Sequence, residues 1–451
     1  MTSLSPKSPK KMVILNFDIN KTILMRDNGV PIEKMLNSLM SECVWGIVKP
    51  GLEDNSVAES SHCDSLWQEI GEIDPSFDGN PSSTKPCMSD FQLPTGPQYT
   101  TRDDDIMTFD DFLERKTQLP KAQKKELKRG FCTAGSGKRL IGHYNNLLST
   151  LEAPPEVLAR AEEAGNVHLF QDKKYFSLIP AFFRLVDLIA QRAAEGTFET
   201  RILFRTFGSD LDDVLSEFNL YCEGLHPAFQ PPENRTYDGR TPGYVDRRVK
   251  MPGYVARVKR TGPRNEETFL AHVTTDVTKG QTGRTVTVTE GGIEAFSDVI
   301  LRDWFGYSSD GRIDASPATQ SAGVVDDYGY WASNSEDCRA GKLHLVCDTD
   351  LEHGLTQLFF DDNIERDDVH IVDCRNRRDF ASLGVGDVWR PNYHEVDASQ
   401  QEEILADILA MIPDLNSLQI QALQSLVKVH PFQAITNRDY FTNIVNRHMG
   451  C

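Results

Sequence analysis

No stretch of this chain comes near the roughly 18–20 apolar residues needed to span a bilayer, so no membrane partner is expected. The start, MTSLSPKSPKK, lacks the apolar region of a secretory leader, because Asp18 follows the short apolar run 13–15 at once. Cysteine is sparse: nine in 451 residues, odd in number and without a Cys-X-X-Cys pair. That excludes a disulfide scaffold and a zinc ribbon, and it points to reduced thiols in a cytoplasmic protein. Basic residues are in deficit, 48 against 67 acidic ones, for a formal net charge of −19. Nucleic acid would be repelled by such a surface. A small phosphorylated compound is not excluded, since a local cation can reverse the sign. No His-X-X-X-His pair suggests a metal-binding helix, and no Gly-X-Ser-X-Gly marks a serine nucleophile.

What is present is a series of apolar runs that stop at polar residues. The first is residues 12–17, which read as a buried strand delivering Asp18 to its C-terminal end. Residues 32–45 carry apolar positions on one helix face. Residues 49–105 are rich in Ser, Pro, Gly and Asp and read as loop. Helices are expected over 109–128, broken at Pro120, and over 155–164. The strongest lies over 175–195, its regular part starting at Pro180. Residues 201–206 form a strand ending at Thr206, and a helix follows over 211–218. Residues 254–259, 269–275 and 285–289 read as strands, and 293–304 as a helix. Residues 308–339 look like loop. Strands follow at 343–347, 355–360 and 370–373, then helices at 399–412, 417–428 and 439–448.

Four of these places carry chemistry. Phe17-Asp18-Ile19-Asn20-Lys21-Thr22 puts a carboxylate at a strand end, where chemistry sits in open α/β sheets. A plain turn aspartate is the bland alternative. Residues 201–210, RILFRTFGSD, end a strand at Thr206, with Ser209 as a second hydroxyl. Phe207 and Gly208 there offer backbone N–H groups to an anion. Lys342 precedes an apolar strand, with Lys279 as a weaker alternative. Phe359-Phe360-Asp361-Asp362 ends another strand in adjacent carboxylates, which are costly to bury unless a cation neutralises them. Mg²⁺ suits them, because it takes oxygen ligands and keeps waters for a phosphate. A decoy, Gly135-Ser136-Gly137-Lys138-Arg139, lacks the first glycine and the final Ser or Thr of a phosphate loop and is read as a turn.

The order Asp18, Thr206, Lys342, Asp361/Asp362 resembles the motif series of the haloacid dehalogenase superfamily, whose first motif is Phe-Asp-X-Asp-X-Thr. The resemblance implies an α/β fold: a three-layer doubly wound Rossmann-like parallel sheet with large cap insertions, here with a helical C-terminus. It divides the chain into a disordered tail, 1–11, and a core of 12–24, 176–220 and 341–451. Residues 25–175 would be a first insertion, partly loop, and 221–340 a second, α+β one. It implies an Mg²⁺ ion held by Asp18, the backbone carbonyl of Asn20, and Asp361 or Asp362. Asp18 would be the nucleophile, and Thr206, Phe207, Gly208 and Lys342 would hold the phosphoryl group. The expected activity is that of an Mg²⁺-dependent phosphohydrolase or phosphotransferase on a small phosphorylated compound, through an aspartyl-phosphate. One departure bears on turnover: the acid/base aspartate of the family is Asn20 here, and an amide does not exchange protons at neutral pH. A catalytically impaired protein with a binding or regulatory role is the alternative. For either reading, the carboxyl of Asp18 must come within roughly ten ångströms of the Asp361–Asp362 doublet to share one ion.

Overall fold

A computed structural model of the chain describes residues 11–26, 29–48, 66–69, 106–251, 253–262, 268–276, 284–307, 313–314, 317–350, 352–364, 371–386 and 398–449. The expected tail falls outside these residues except for Lys11, which opens the first strand, β1 (Lys11–Asp18). β1 is buried along both faces after Lys11, as its mostly apolar run requires. Met12 and Ile14 join a core with Val299, Ile300 and Trp304. Phe17, at a position of the other parity, packs edge-on against Phe182 and stacks on Phe360.

After Leu24 the chain enters a second compact unit, residues 25–179 together with 431–440. It contains β2 (Trp45–Val48), β3 (Trp67–Glu69) and β4 (Ile106–Thr108), antiparallel in the order β3-β2-β4. The helices Phe109–Lys116 and Lys121–Arg129 are separated at Pro120, as expected. The phosphate-loop decoy lies in turns and a short 3₁₀ helix, Lys138–Leu140, with no strand leading into it. The small hairpin β5 (Phe170–Gln171) and β6 (Tyr175–Phe176) closes the unit.

The other unit comprises residues 1–24, 180–430 and 441–451. The helix Pro180–Ala194 starts at the proline. β7 (Phe198–Thr206), β8 (Val255–Thr261), β9 (Thr268–Asp276), β10 (Arg284–Gly291) and β11 (Ser321–Val325) follow. Then come β12 (Lys342–Val346), β13 (Leu355–Asp361), β14 (Val372–Asn376) and β15 (Leu426–Lys428). Seven of these, with β1, form one sheet in the order β10-β9-β8-β11-β7-β1-β13-β15. The six from β8 to β15 in that order are parallel, and β9 and β10 run antiparallel at one edge. This is an α/β, Rossmann-like sheet. β12 and β14 pair in parallel as a separate two-stranded sheet. β1 lies between β7 and β13, so successive parallel strands are added on opposite sides of it. That makes β1 a switch point of the sheet, where the ends of neighbouring strands leave a crevice.

Three expectations are corrected. Residues 221–340 do not fold apart as an insertion: β8 to β11 extend the main sheet, because β11 hydrogen-bonds to β7 on one side and β8 on the other. Residues 308–339 are not all loop. The run Ser321-Ala322-Gly323-Val324-Val325 is β11, too short and too small in its side chains to stand out, and Tyr328–Ser333 is a helical turn. Residues 417–428 do not form one helix. The helix ends at Ser425, and Leu426–Lys428 is β15, stabilised by pairing with Phe359, Phe360 and Asp361. Among the described residues, no helix is long and apolar enough to cross a membrane.

His344, inside β12, provides a pH test of this packing. Ser425 Oγ donates to the Ala422 carbonyl at 2.7 Å, so His344 Nε2–H must donate to Ser425 Oγ, at 2.8 Å. Burial first, and the Arg205 charge second, lower His344 to about 3. The folded protein therefore holds it neutral, while the unfolded chain protonates it below about pH 6.5. Its contribution is full above that pH and is lost as pH falls toward 3. His344→Gln is expected to flatten the fall of the melting temperature between pH 6.5 and 4. An unchanged slope would show that His344 is not buried as described.

Candidate functional site

The site forms at the C-terminal ends of β1, β13 and β7. The parallel register places Phe17 opposite Phe360, so Asp18 and Asp361, each the next residue, lie side by side on one face. Asp362 follows. Asp18, Asp361 and Asp362 are all buried, and one carboxylate oxygen from each lies within 4.8 Å of the others. Oxygens gathered this closely are placed where they could share one divalent ion. The donor set is all hard oxygen, which suits a hard divalent cation such as Mg²⁺.

Lys342 reaches this cluster from the separate β12–β14 sheet. Its Nζ donates to Asp18 Oδ1 and, at 2.8 Å, to Asp361 Oδ2. Gly341 is what allows the approach: a Cβ there would sit 2.4 Å from the Ile371 carbonyl oxygen, to which Lys342 N–H donates. Burial works against the Lys342 charge, but Asp18 and Asp361 outweigh it and hold the ammonium above its ordinary range. Asp18 is pushed well above the usual carboxylate range, chiefly by burial, with Lys342 opposing and Asp361 and Asp362 adding repulsion. Three carboxylates against one ammonium leave a formal surplus of negative charge, which a divalent ion would neutralise.

Thr22 ties the cluster together. Its hydroxyl lies 3.4 Å from both Asp18 Oδ2 and Asp362 Oδ1, and it accepts from Asp362 N–H at 3.2 Å. Lys21 makes this possible by adopting a φ of 59°, in the left-handed region that non-glycine residues rarely use. The turn returns through Leu24 N–H to the Ile19 carbonyl.

The β7 end contributes Thr206, Phe207 and Gly208. Thr206 Oγ1 accepts from Gly208 N–H at 2.8 Å. That N–H, expected to face an anion, is therefore engaged by the threonine. The hydroxyl keeps its own hydrogen for an acceptor such as a phosphoryl oxygen. Phe207 lies over Lys342 Nζ, 5.1 Å from ring centre to nitrogen, and stacks on Trp331. Asn20 does not point its amide at the carboxylate trio: Nδ2 lies 3.5 Å from Asp210 Oδ2, and Oδ1 is buried without a hydrogen-bond partner among the described residues. Lys279, the weaker lysine candidate, lies outside the described residues.

Reading the chain alone gave Thr22 only as the last residue of the first motif, and it overlooked Arg205 and the contact between Asn20 and Asp210. Arg205, level with Asp18 in the register, is buried and clamps Asp326 through two bonds of 2.9 and 2.6 Å. It also donates at 2.9 Å to the carbonyl of Leu343, the residue after Lys342. It thus braces the lysine against the main sheet. The signal was an Arg inside an otherwise apolar stretch of strand, where a charge survives only if paired. Comparison with family models, with curated proteins and with solved structures returns no match.

Proposed function

We propose that this chain is an Mg²⁺-dependent phosphohydrolase or phosphotransferase of haloacid dehalogenase type, acting on a small phosphorylated compound through an aspartyl-phosphate on Asp18. The observation that carries this reading is the meeting of Asp18, Asp361 and Asp362 beside Lys342 at a switch point of the sheet. Residues 25–179 occupy the place in the chain, between β1 and β7, where the resemblance puts a substrate-selecting cap. When bound, Mg²⁺ held by Asp18, the Asn20 carbonyl, Asp361 and Asp362 would neutralise the phosphoryl oxygens and orient them.

The protein's own groups supply the rest. The Asp18 carboxylate attacks phosphorus in line with the leaving oxygen. Lys342 and the Thr206 hydroxyl hold the charge that spreads over the equatorial oxygens. Before substrate arrives, Lys342 keeps Asp18 oriented and Thr22 keeps the carboxylates together.

Purified protein assayed on generic phosphate esters should release phosphate with Mg²⁺ and not with EDTA. No metal-dependent release would remove the reading. Mg²⁺ at about 100 times its dissociation constant should also add about 2.7 kcal/mol of stability. Asp361→Asn should abolish that increment, and a shift surviving it would place the ion elsewhere. Metal and phosphate binding without turnover would instead favour a binding or regulatory role, the reading that the Asn20 amide supports.

A further inference from the structure

The chain surfaces directly after Thr206. Thr206 itself is buried, Phe207 and Gly208 are half-buried, and Ser209 is exposed. Phe207 is the one large side chain on this path, and its ring lies 5.1 Å from the Lys342 nitrogen. A substituent on a phosphoryl group held by Lys342 and Thr206, extending toward solvent along this path, meets that ring.

The rings beside Phe207 continue outward. Trp331 stacks on it at 5.1 Å between centres, with planes 20° from parallel. Tyr328 meets Phe207 edge-on at 6.0 Å and lies 6.0 Å from Trp331. Tyr328 and Trp331 stand three residues apart on one helical turn, which puts them on the same side of it. Trp331 is buried in a core with Phe359, Ile364 and Val372. Tyr328 is 54 % exposed. Single exposed aromatics are ordinary. This one is joined, ring to ring, to the side chain that covers the phosphoryl-holding lysine.

The turn that presents Tyr328 is braced. Asp327 accepts from Tyr330 N–H at 3.2 Å, from Arg260 N–H at 3.0 Å and from Lys259 Nζ at 3.3 Å. The Tyr328 ring is therefore held toward solvent from a fixed base. A fixed ring loses little freedom when a second ring is laid on it.

We propose that Phe207 and Tyr328 form the subsite for the leaving group, and that the substrate is a phosphate monoester whose alcohol carries a flat ring, aryl or nucleobase. The proposal rests on the phosphotransfer reading above and gives it a substrate class. Aromatic faces favour a flat partner, stacked with an offset or met at its edge. Such binding acts on a part of the substrate that does not react, so it lowers KM more than it raises kcat.

The test measures binding and turnover separately. Calorimetry in Mg²⁺ uses benzylphosphonate and cyclohexylmethylphosphonate, which have no ester bond to hydrolyse and are alike in charge and size but not in flatness. The native protein should bind the benzyl compound about tenfold more tightly. Tyr328→Ala and Tyr328→Leu should erase that preference, and Tyr328→Phe should keep it. In the turnover arm, Tyr328→Ala should raise KM for benzyl phosphate about tenfold and change kcat less, with a smaller effect on cyclohexylmethyl phosphate. Adenosine 5′-monophosphate against ribose 5-phosphate gives the same comparison for a nucleobase. A larger dependence on Tyr328 in this pair identifies a nucleobase, and a larger one in the benzyl pair an aryl group. Equal binding of the two phosphonates, or a preference that survives Tyr328→Ala, overturns the proposal while phosphate release leaves the phosphotransfer reading intact. Ring-selective binding with no release from any ester overturns that reading and leaves the subsite standing. Tyr328 is exposed, so its variants should fold, and thermal melts check that they do.

Discussion

Asp18→Asn is expected to lower Mg²⁺-dependent phosphate release by at least about 10⁴-fold, the scale of losing a covalent nucleophile. The substitution keeps the shape of the side chain, so the effect isolates the chemistry. It should also carry an opposite effect on stability. In the metal-free protein, burial and the charges of Asp361 and Asp362 together disfavour the Asp18 carboxylate more than Lys342 favours it. A carboxyl whose folded pKa is raised contributes stability at low pH that is lost as pH rises through that pKa. The neutral amide removes this loss. In EDTA, the melting temperature of Asp18→Asn should therefore exceed that of the native protein at pH 8 by more than at pH 5. An inactive variant that melts earlier at both pH values would mean that Asp18 is structural. A variant retaining metal-dependent turnover would place the nucleophile elsewhere.

Lys342→Met is expected to cost about 3–5 kcal/mol in EDTA, measured by chemical denaturation. Lys342 is 1 % exposed and donates to two buried carboxylates. Removing it leaves like charges together in a buried site. Methionine fills most of the volume, so the loss reports charge and not a cavity. Mg²⁺ supplies positive charge to the same carboxylates. It should recover part of the loss, and the Mg²⁺-dependent increment should be larger in the variant than in the native protein. A loss below about 1 kcal/mol would mean that the pair contributes no more than an exposed one. An equal loss with and without Mg²⁺ would separate the lysine from the metal site. Turnover should fall in the same variant, because the phosphoryl group loses a fixed cation.

Much of the site was legible because each part of it is a local pattern. A mostly apolar run that stops at a carboxylate describes a strand buried on both faces, and β1 and β13 are such strands. Thr206 ends β7 and Lys342 opens β12 for the same reason, a sharp change from apolar to polar at a strand boundary. Asp361 and Asp362 could not be ranked from their order alone. Both enter the cluster: Asp361 takes the lysine, and Asp362 takes the threonine. Other parts left no local trace. β15 reads as the tail of a helix, and only pairing with β13 makes it a strand. β11 is a five-residue run whose ladder partners are the distant strands β7 and β8.

Composition and apolar periodicity by themselves determined that this chain builds a buried α/β sheet and ends particular strands at Asp18, Thr206 and Asp361. Those properties depend on neighbours within a few residues, where burial and backbone preference act. Which strands lie side by side was decided by long-range hydrogen bonding and shared burial, which no window of sequence contains. Only that pairing brings Thr22 to Asp362, Lys342 to Asp18, and the Asp210 carboxyl to the amide of Asn20.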